Sequence, residues 1–441
     1  MKANYKSHGR KRRGQTIILF MFFMVVLVLF VGMGIDLGFA YITRARLSKA
    51  VDAACLTGIR TYRSNNEAGA LALAQSAFQA NYGTSSRDAV SPYPLNIAFD
   101  TSGPNVLLNV SATAQINTFF IRILPAVSPT TFGRFLKVSS SAQGTRPNLI
   151  MTMVLDKSGS MGTSVAAGGS NGGQYLPDAA SNFITNFDDN LDKLGVVTFD
   201  SAQHDVVYTG GSGNHQPKRP FQADAVNAVN ALVGHWSGAT FSQGGLTNAL
   251  VMENNASISA GETTVKVVVF FTDGIANTLQ QSLACNGGAK LLNFGGFDPG
   301  DNCDDPCTWV AFMDPTTGDQ LCSTSKGGTP SCCSGVNTFF SAIDNQSEII
   351  IHDNVTRDAE YRAIQVANDM RSAHIVVYSI AVGGNLNLSF LAKVANDPSL
   401  AGTPDYTSTP YDGISVVAND PSQLSAVFQK VADTILARLT K

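Results

Sequence analysis

The sequence predicts an α/β protein. A doubly wound, mostly parallel sheet is preceded by a transmembrane helix and a small β-rich module. Three observations carry this reading. From Pro147 onward, continuous Val/Ile runs alternate with helix-period segments. That is the pattern of strands covered by crossover helices on both faces. Thr16 to Ile35, "TIILFMFFMVVLVLFVGMGI", holds no charged residue. Ser91 to Thr145 alternates or runs β-branched between Pro/Gly turns, as short strands do. At 441 residues the chain exceeds one ordinary core, so several domains are expected.

The elements follow in order. Residues 1–14 form a basic tail with Lys2, Lys6, Arg10, Lys11, Arg12 and Arg13. Residues 15–35 are the membrane span, because twenty apolar residues at about 1.5 Å each match a hydrocarbon core of about 30 Å. A cleaved signal peptide is the rival, with "GFA" (Gly38 to Ala40) as its cleavage site, but the apolar run exceeds the usual signal core of about 7–15 residues. Arg44, Arg46 and Lys49 follow the span, fewer than the cations before it. The positive-inside bias therefore places the N-terminus in the cytoplasm and the bulk of the chain in the periplasm or outside the cell.

Residues 36–84 are helical. Leu47, Val51, Ala54, Leu56, Ile59, Leu71, Ala74 and Phe78 recur at three and four, with a break near "SNNEAG". Cys55 sits on this helix as a small apolar residue. Residues 90–146 form the β-rich module, with "PLNIAFD", "NVLLNVSATAQI" and "FLKVSSSAQG" as strands. "TFFIRIL", Thr118 to Leu124, fits helix or strand equally.

In residues 147–441 the strands are "NLIMTMVLD", "KLGVVTFD", "HDVVYTG", "TVKVVVFFTDG", "IVVYSIAVGG" and the edge strand in "DGISVVAND". The helices are "YLPDAASNFITNFDDNL", "QADAVNAVNALVGHW", "GLTNALVMENNA", "DAEYRAIQVANDMRSAHI", "LSFLAKVAND" and "SQLSAVFQKVADTILARLTK". Leu279 to His352, Gly/Cys/Asn/Asp-rich and without periodicity, reads as an insertion too polar to pack its own core. Six of the seven cysteines fall in it: Cys285, Cys303, Cys307, Cys322, Cys332 and Cys333. Clustered this way they imply disulfides in an oxidising compartment, with pairing left open. Cys332 and Cys333 should not bond each other, since a vicinal bridge is strained. A zinc site is the rival, although "CDDPC" has no His nearby. The acidic "DPGDNCDD" could hold Ca²⁺, but it lacks EF-hand spacing and reads better as a solvated loop.

In an open parallel sheet, ligands bind beyond the carboxyl ends of the strands. "LDKSGSM" ends one strand, "FFTDG" ends another, and "SGATFSQGGL" precedes a helix between them. These segments bring Asp156, Ser158, Ser160, Thr240 and Asp273 toward one edge. All are hard oxygen donors, suited to Mg²⁺ or Ca²⁺ rather than zinc or copper.

That set resembles the metal-ion-dependent adhesion site of von Willebrand factor A domains, over roughly Pro147 to Lys441. The resemblance implies a Rossmann-like fold and a divalent cation (Mg²⁺, Ca²⁺ or Mn²⁺). Ser158, Ser160 and Thr240 would offer hydroxyls, with Asp156 and Asp273 acting directly or through water. An open position would accept an acidic side chain from a protein ligand. The N-terminal half resembles Tad-type (Flp) pilus-assembly proteins of the TadE/TadG kind. The features are Arg12-Arg13-Gly14 before the span, Gly34-Ile35-Asp36-Leu37-Gly38 after it, and Arg44-x-Arg46-Leu47 leading to Ala50-Val51-Asp52-Ala53-Ala54. Leu19 stands where prepilin-like relatives carry Glu. The whole resembles a TadG-like protein with a fused A domain, which implies other pilus-assembly proteins as partners.

Charge and motifs narrow the function. The net charge is -3 and no long basic tract is present, so nucleic acid is not a partner. Ser158 and Ser160 lack a nucleophile-elbow context with His and an acid. No GxxxxGK[ST] phosphate loop occurs, which argues against an ATPase. A non-enzymatic, membrane-anchored component of pilus assembly or surface adhesion is expected. The alternative is an envelope substrate-recognition partner of an ATPase complex.

Overall fold

A computed structural model describes residues 15–83, 94–119, 135–162, 171–296, 310–324, 328–383 and 386–439. The basic tail, most of "TFFIRIL", Cys303, Cys307 and "DPGDNCDD" lie outside the described residues. The chain divides into two compact units, residues 1–146 and 147–439.

The first unit is built on one long helix, α1 (Gln15–Thr61), of 47 residues. The apolar span and the first half of the expected helical segment are thus one continuous element. Its apolar N-terminal part is bare: Ile18 is 70% exposed and Phe22 71%. Beyond Asp36 the helix acquires a buried face of Leu47, Ala50, Val51, Ala54 and Ile59. The expected break falls at residues 62–66, where the Asn66 side chain accepts from the Gly69 amide at 3.2 Å and caps α2 (Glu67–Tyr82). The three expected strands are present: β1 (Leu95–Asp100), β2 (Val106–Asn117) and β3 (Phe135–Arg146). They form an antiparallel sheet in the order β1-β2-β3. Leu108, Val110, Ala112 and Ala114 of β2 pack with the buried face of α1 and Phe78 of α2. Cys55 is buried in this core as a free thiol.

The second unit holds a six-stranded sheet. Its strands are β4 (Asn148–Asp156), β5 (Lys193–Phe199), β6 (Gln203–Val207), β7 (Thr264–Thr272), β14 (Ile375–Val382) and β15 (Ser415–Ala418). The order is β15-β14-β7-β4-β5-β6, parallel except for β6. Six helices cover it: α3 (Gly172–Ile184), α4 (Gln222–Asn230), α5 (Ser242–Asn255), α6 (His352–Ser372), α7 (Leu388–Ala395) and α8 (Leu424–Arg438). Alternation along the strands makes two cores. Met151, Met153, Leu155, Val269 and Phe271 pack with α3, α4 and α8. Val154, Val197, Val268 and Phe270 pack with α5, α6 and α7. Both faces are buried, which is why these strands read as unbroken apolar runs.

The insertion departs from expectation. It is not a polar loop held only by cysteines. Four strands, β8 (Thr278–Cys285), β9 (Gly288–Gly296), β10 (Val310–Met313) and β11 (Gln320–Thr324), form an antiparallel sheet in the order β11-β10-β9-β8. A short hairpin, β12 (Thr338–Phe340) with β13 (Ser347–Ile349), follows. Leu279, Leu283, Phe294, Phe312, Phe339 and Ile350 make a core that continues onto Val355 and Ala359 of α6. Its apolar residues are few but widely spaced, and the sheet gathers them. Among the described residues, two disulfides join Cys285 to Cys333 and Cys322 to Cys332.

Candidate metal site

Asp156 is the last residue of β4, and Thr272 the last of β7, its direct neighbour in the sheet. Strand alternation turns both toward the same face, and the Thr272 hydroxyl donates to Asp156 Oδ2 at 2.6 Å. The other oxygen, Oδ1, accepts from the Ser158 amide at 2.8 Å. This Asx turn is what lets the chain leave the strand and double back. A short 3-10 turn at Gly159–Gly162 then presents Ser160. The Ser158 and Ser160 hydroxyls lie 3.0 Å apart, and Ser160 Oγ donates to Asp273 Oδ1 at 2.6 Å.

Thr240 comes from the loop before α5. A Cβ placed on Gly274 would lie 3.5 Å from Ser160 Oγ and 3.8 Å from Thr240 Oγ1, so both hydroxyls face one spot beside Asp273. Within the Thr240 loop, Gly238 has a φ of +84°, and a Cβ there would stand 2.7 Å from Ser201 Oγ. Only glycine serves there. The structure therefore brings all five sequence-predicted residues to one rim of the sheet. Asp156, Ser158, Thr240 and Asp273 are buried, and Ser160 is half-buried.

The electrostatics are those of charge held in too little water. Burial pushes Asp156 up to about 6, although hydrogen bonds from Ser158 and Thr272 pull it back. Burial, then the neighbouring Asp156 charge, pushes Asp273 up to about 8. Asp273 Oδ2 is buried and has no hydrogen-bond partner among the described residues. Two desolvated carboxylates with three converging hydroxyls fit a hard divalent cation, which would neutralise both acids and use the orphaned oxygen.

Three neighbours escaped sequence reasoning. Thr272 holds Asp156. Lys157 pairs with Asp200 at 2.8 Å beside the site. Burial works against the charge of Asp200, yet His204 and Lys157 hold its carboxyl below the usual range. Asn277 pairs with Thr240 from outside the motif. Only Thr272 carried a signal, as the residue beside Asp273 at a strand end.

Residues 151–275 match the "von Willebrand factor type A domain" family, and residues 14–75 match the family described as "Putative Flp pilus-assembly TadE/G-like". The chain joins a TadE/G-like segment to a von Willebrand factor type A domain. The type A match ends two residues after Asp273 and so spans every candidate ligand. The TadE/G-like match covers the apolar part of α1, its buried face and the start of α2.

Among solved structures, the chain is similar to the PilB minor pilin from Streptococcus sanguinis, at 12% identity with 79% of each chain covered and a TM-score of 0.40. It is similar to the vWF domain of the type V pili tip protein Mfa5 from Porphyromonas gingivalis, at 16% identity. That comparison covers 67% of this chain and 97% of the other, with a TM-score of 0.38. It is also similar to a von Willebrand factor type A protein from Catenulispora acidiphila, at 14% identity, covering 80% and 51%, with a TM-score of 0.35. No curated protein matches the chain.

Proposed function

We propose that this chain is a membrane-anchored, non-enzymatic component of Tad/Flp pilus assembly or surface adhesion. It holds a protein partner through a divalent cation at Asp156, Ser158, Ser160, Thr240 and Asp273. The observation that carries the reading is the meeting of two buried acids and three hydroxyls at one sheet rim, with Asp273 Oδ2 unpartnered. Mg²⁺ is the first candidate, with Ca²⁺ and Mn²⁺ as alternatives. When bound, the cation supplies an electrophilic position for an acidic side chain of the partner. The chain's own part is to fix the donors: Thr272 orients Asp156, and Ser160 orients Asp273.

The anchor is the apolar part of α1, whose exposed Ile, Leu and Phe side chains need lipid around them. The N-terminus lies in the cytoplasm and both folded units in the periplasm or beyond. The cation asymmetry around the span and the two disulfides support this orientation.

Calorimetry of the full chain in detergent tests the site. Wild type should bind one Mg²⁺. Asp156→Ala should lose that binding while keeping its metal-free melting transition, because the apolar strands and not the rim form the core. Asp273→Ala should behave alike, and the double variant should lose no more than either single one, since both act on one ion. Unchanged Mg²⁺ binding in Asp156→Ala would reduce the loop to a turn.

A further inference from the structure

The Thr240 loop, Ser237 to Phe241, contains no helix or strand, so its shape depends on what holds its peptide groups. The first strand-end loop supplies two contacts. The Ser237 amide donates to the Lys157 carbonyl at 3.1 Å, and the Gly159 amide donates to the Gly238 carbonyl at 3.1 Å. The loop after β5 supplies two more, from the Ala239 amide to Ser201 Oγ at 2.9 Å and from the Phe241 amide to the Asp200 carbonyl at 2.8 Å. Thr240 itself is held differently. Its amide donates to Asn277 Oδ1 at 2.8 Å, and its carbonyl accepts from the Asn277 amide at 3.2 Å. One residue thus closes on both sides of the candidate ligand.

Asn277 is fixed in turn by the insertion. Thr278 Oγ1 donates to the same Oδ1 at 3.0 Å. Gly295 faces Thr278 across the β8–β9 ladder, where a Cβ would come within 2.3 Å of Thr278 Oγ1 and 3.1 Å of the Asn277 carbonyl. Asn293 of β9, fully buried, donates to the Ser201 carbonyl at 2.8 Å. Ala311 and Met313 of β10 pack on Ala239. The insertion therefore grips the loop at Ala239 and, through Asn277, at Thr240, and it also holds the neighbouring loop after β5 at Ser201.

We propose that Asn277 is a positioning residue for the cation site, fixing the backbone of Thr240 and tying cation affinity to the insertion sheet. This inference rests on the metal-site reading above. A hydroxyl ligand must be placed to within tenths of an ångström at about 2.0–2.6 Å from the ion, and groups that only orient ligands typically contribute about 10–100-fold in metal affinity.

The test is Mg²⁺ calorimetry and metal-free melting of the full chain in detergent. Wild type, Asp156→Ala, Asn277→Ala and Asn277→Asp are compared. Asn277→Ala should bind Mg²⁺ about 10–100-fold more weakly while melting close to wild type without metal. Asn277→Asp keeps the acceptor oxygen and the backbone donor and should restore affinity. If Asn277→Ala binds as tightly as wild type while Asp156→Ala does not bind, this inference falls and the site reading stands. An aspartate as weak as the alanine also overturns it. Absence of Mg²⁺ binding in wild type overturns both. Should Asn277→Ala not fold, amide exchange in metal-free wild type decides. Protection of the Thr240 amide supports the clamp, and rapid exchange there defeats it.

Discussion

Asp156 and Glu253 are both completely buried acids, yet their surroundings differ. Asp156 stands at the rim with partners on each oxygen. Glu253, on α5, lies under the centre of the sheet and accepts only one side-chain bond, from Thr152 at 2.8 Å, while its second oxygen is buried and unpartnered. Burial pushes Glu253 up to about 8, although the Thr152 bond and Lys266 work against the shift. The folded state therefore binds a proton that the unfolded chain has released above its ordinary value of 4.5. Stability from this group is full below that value and is lost as pH rises through about 8. Glu253→Gln should flatten the fall in melting temperature between pH 5 and about pH 9. Melting curves across that range check it, and an unchanged slope would assign the dependence to other groups. At this scale the sequence was partly legible. Asp156, Ser158 and Ser160 are close together and follow an unmistakable apolar strand. The parts played by Thr272, Glu253 and Asn277 depend on partners 116, 101 and 37 residues away; Thr272 at least adjoins Asp273 at a strand end, whereas no local pattern marks the other two.

The strands and helices of the second unit were legible because most are buried on one face or two, and burial imposes a period. The insertion was not. Its strands are as short as three residues and are interrupted by Gly and Asn, so no window shows alternation. Its core forms only when Leu279, Phe294, Phe312 and Phe339 arrive from four separate strands. The disulfides secure that assembly. Cys285 ends β8 and Cys322 lies in β11, the two outer strands, and they bond to the adjacent Cys333 and Cys332. Both borders of the sheet are thus tied to one dipeptide. The 48-residue separation of the first bridge favours it over the 10-residue separation of the second, on loop-entropy grounds. Replacing Cys285 and Cys333 by Ser should cost the insertion about 2–4 kcal/mol and open it to protease, with the six-stranded sheet intact. Limited proteolysis with mass analysis reads this out. Free thiols at these four positions in unreduced protein would remove the basis of the expectation. Cys55 should resist labelling until the protein is denatured, because burial, then the nearby Asp52 charge, raises its thiol pKa.

For the whole molecule, α1 is the defining element. Its 47 residues extend about 70 Å at 1.5 Å per residue, whereas a bilayer core needs about 30 Å. The remainder is the spine of the first unit. Asp36 marks the change, where the helix stops being apolar all round and its carboxylate accepts from the Phe119 amide at 2.9 Å. Composition alone revealed the apolar stretch, but not that this stretch and the spine are one helix, because no propensity signal distinguishes a continuing helix from two in sequence. The topology is open to test. Reporter fusions after Gly83 and after Lys441 should both be inactive with a cytoplasmic reporter and active with an exported one. Cytoplasmic activity at either position would reverse the orientation.

The unbroken course of α1 also has a mechanical meaning. Among the described residues α1 runs without a break from the apolar stretch into the first folded unit, even though Gly34 and Gly38 lie at the junction. A flexible leash would let that unit swivel and would dissipate tension before it reached the membrane. With the apolar stretch in lipid, as proposed above, a continuous helix instead couples the unit to the bilayer and passes torque and pull along its axis. Load applied to this unit is borne by the anchor itself, as by a post set in the ground rather than a buoy on a line.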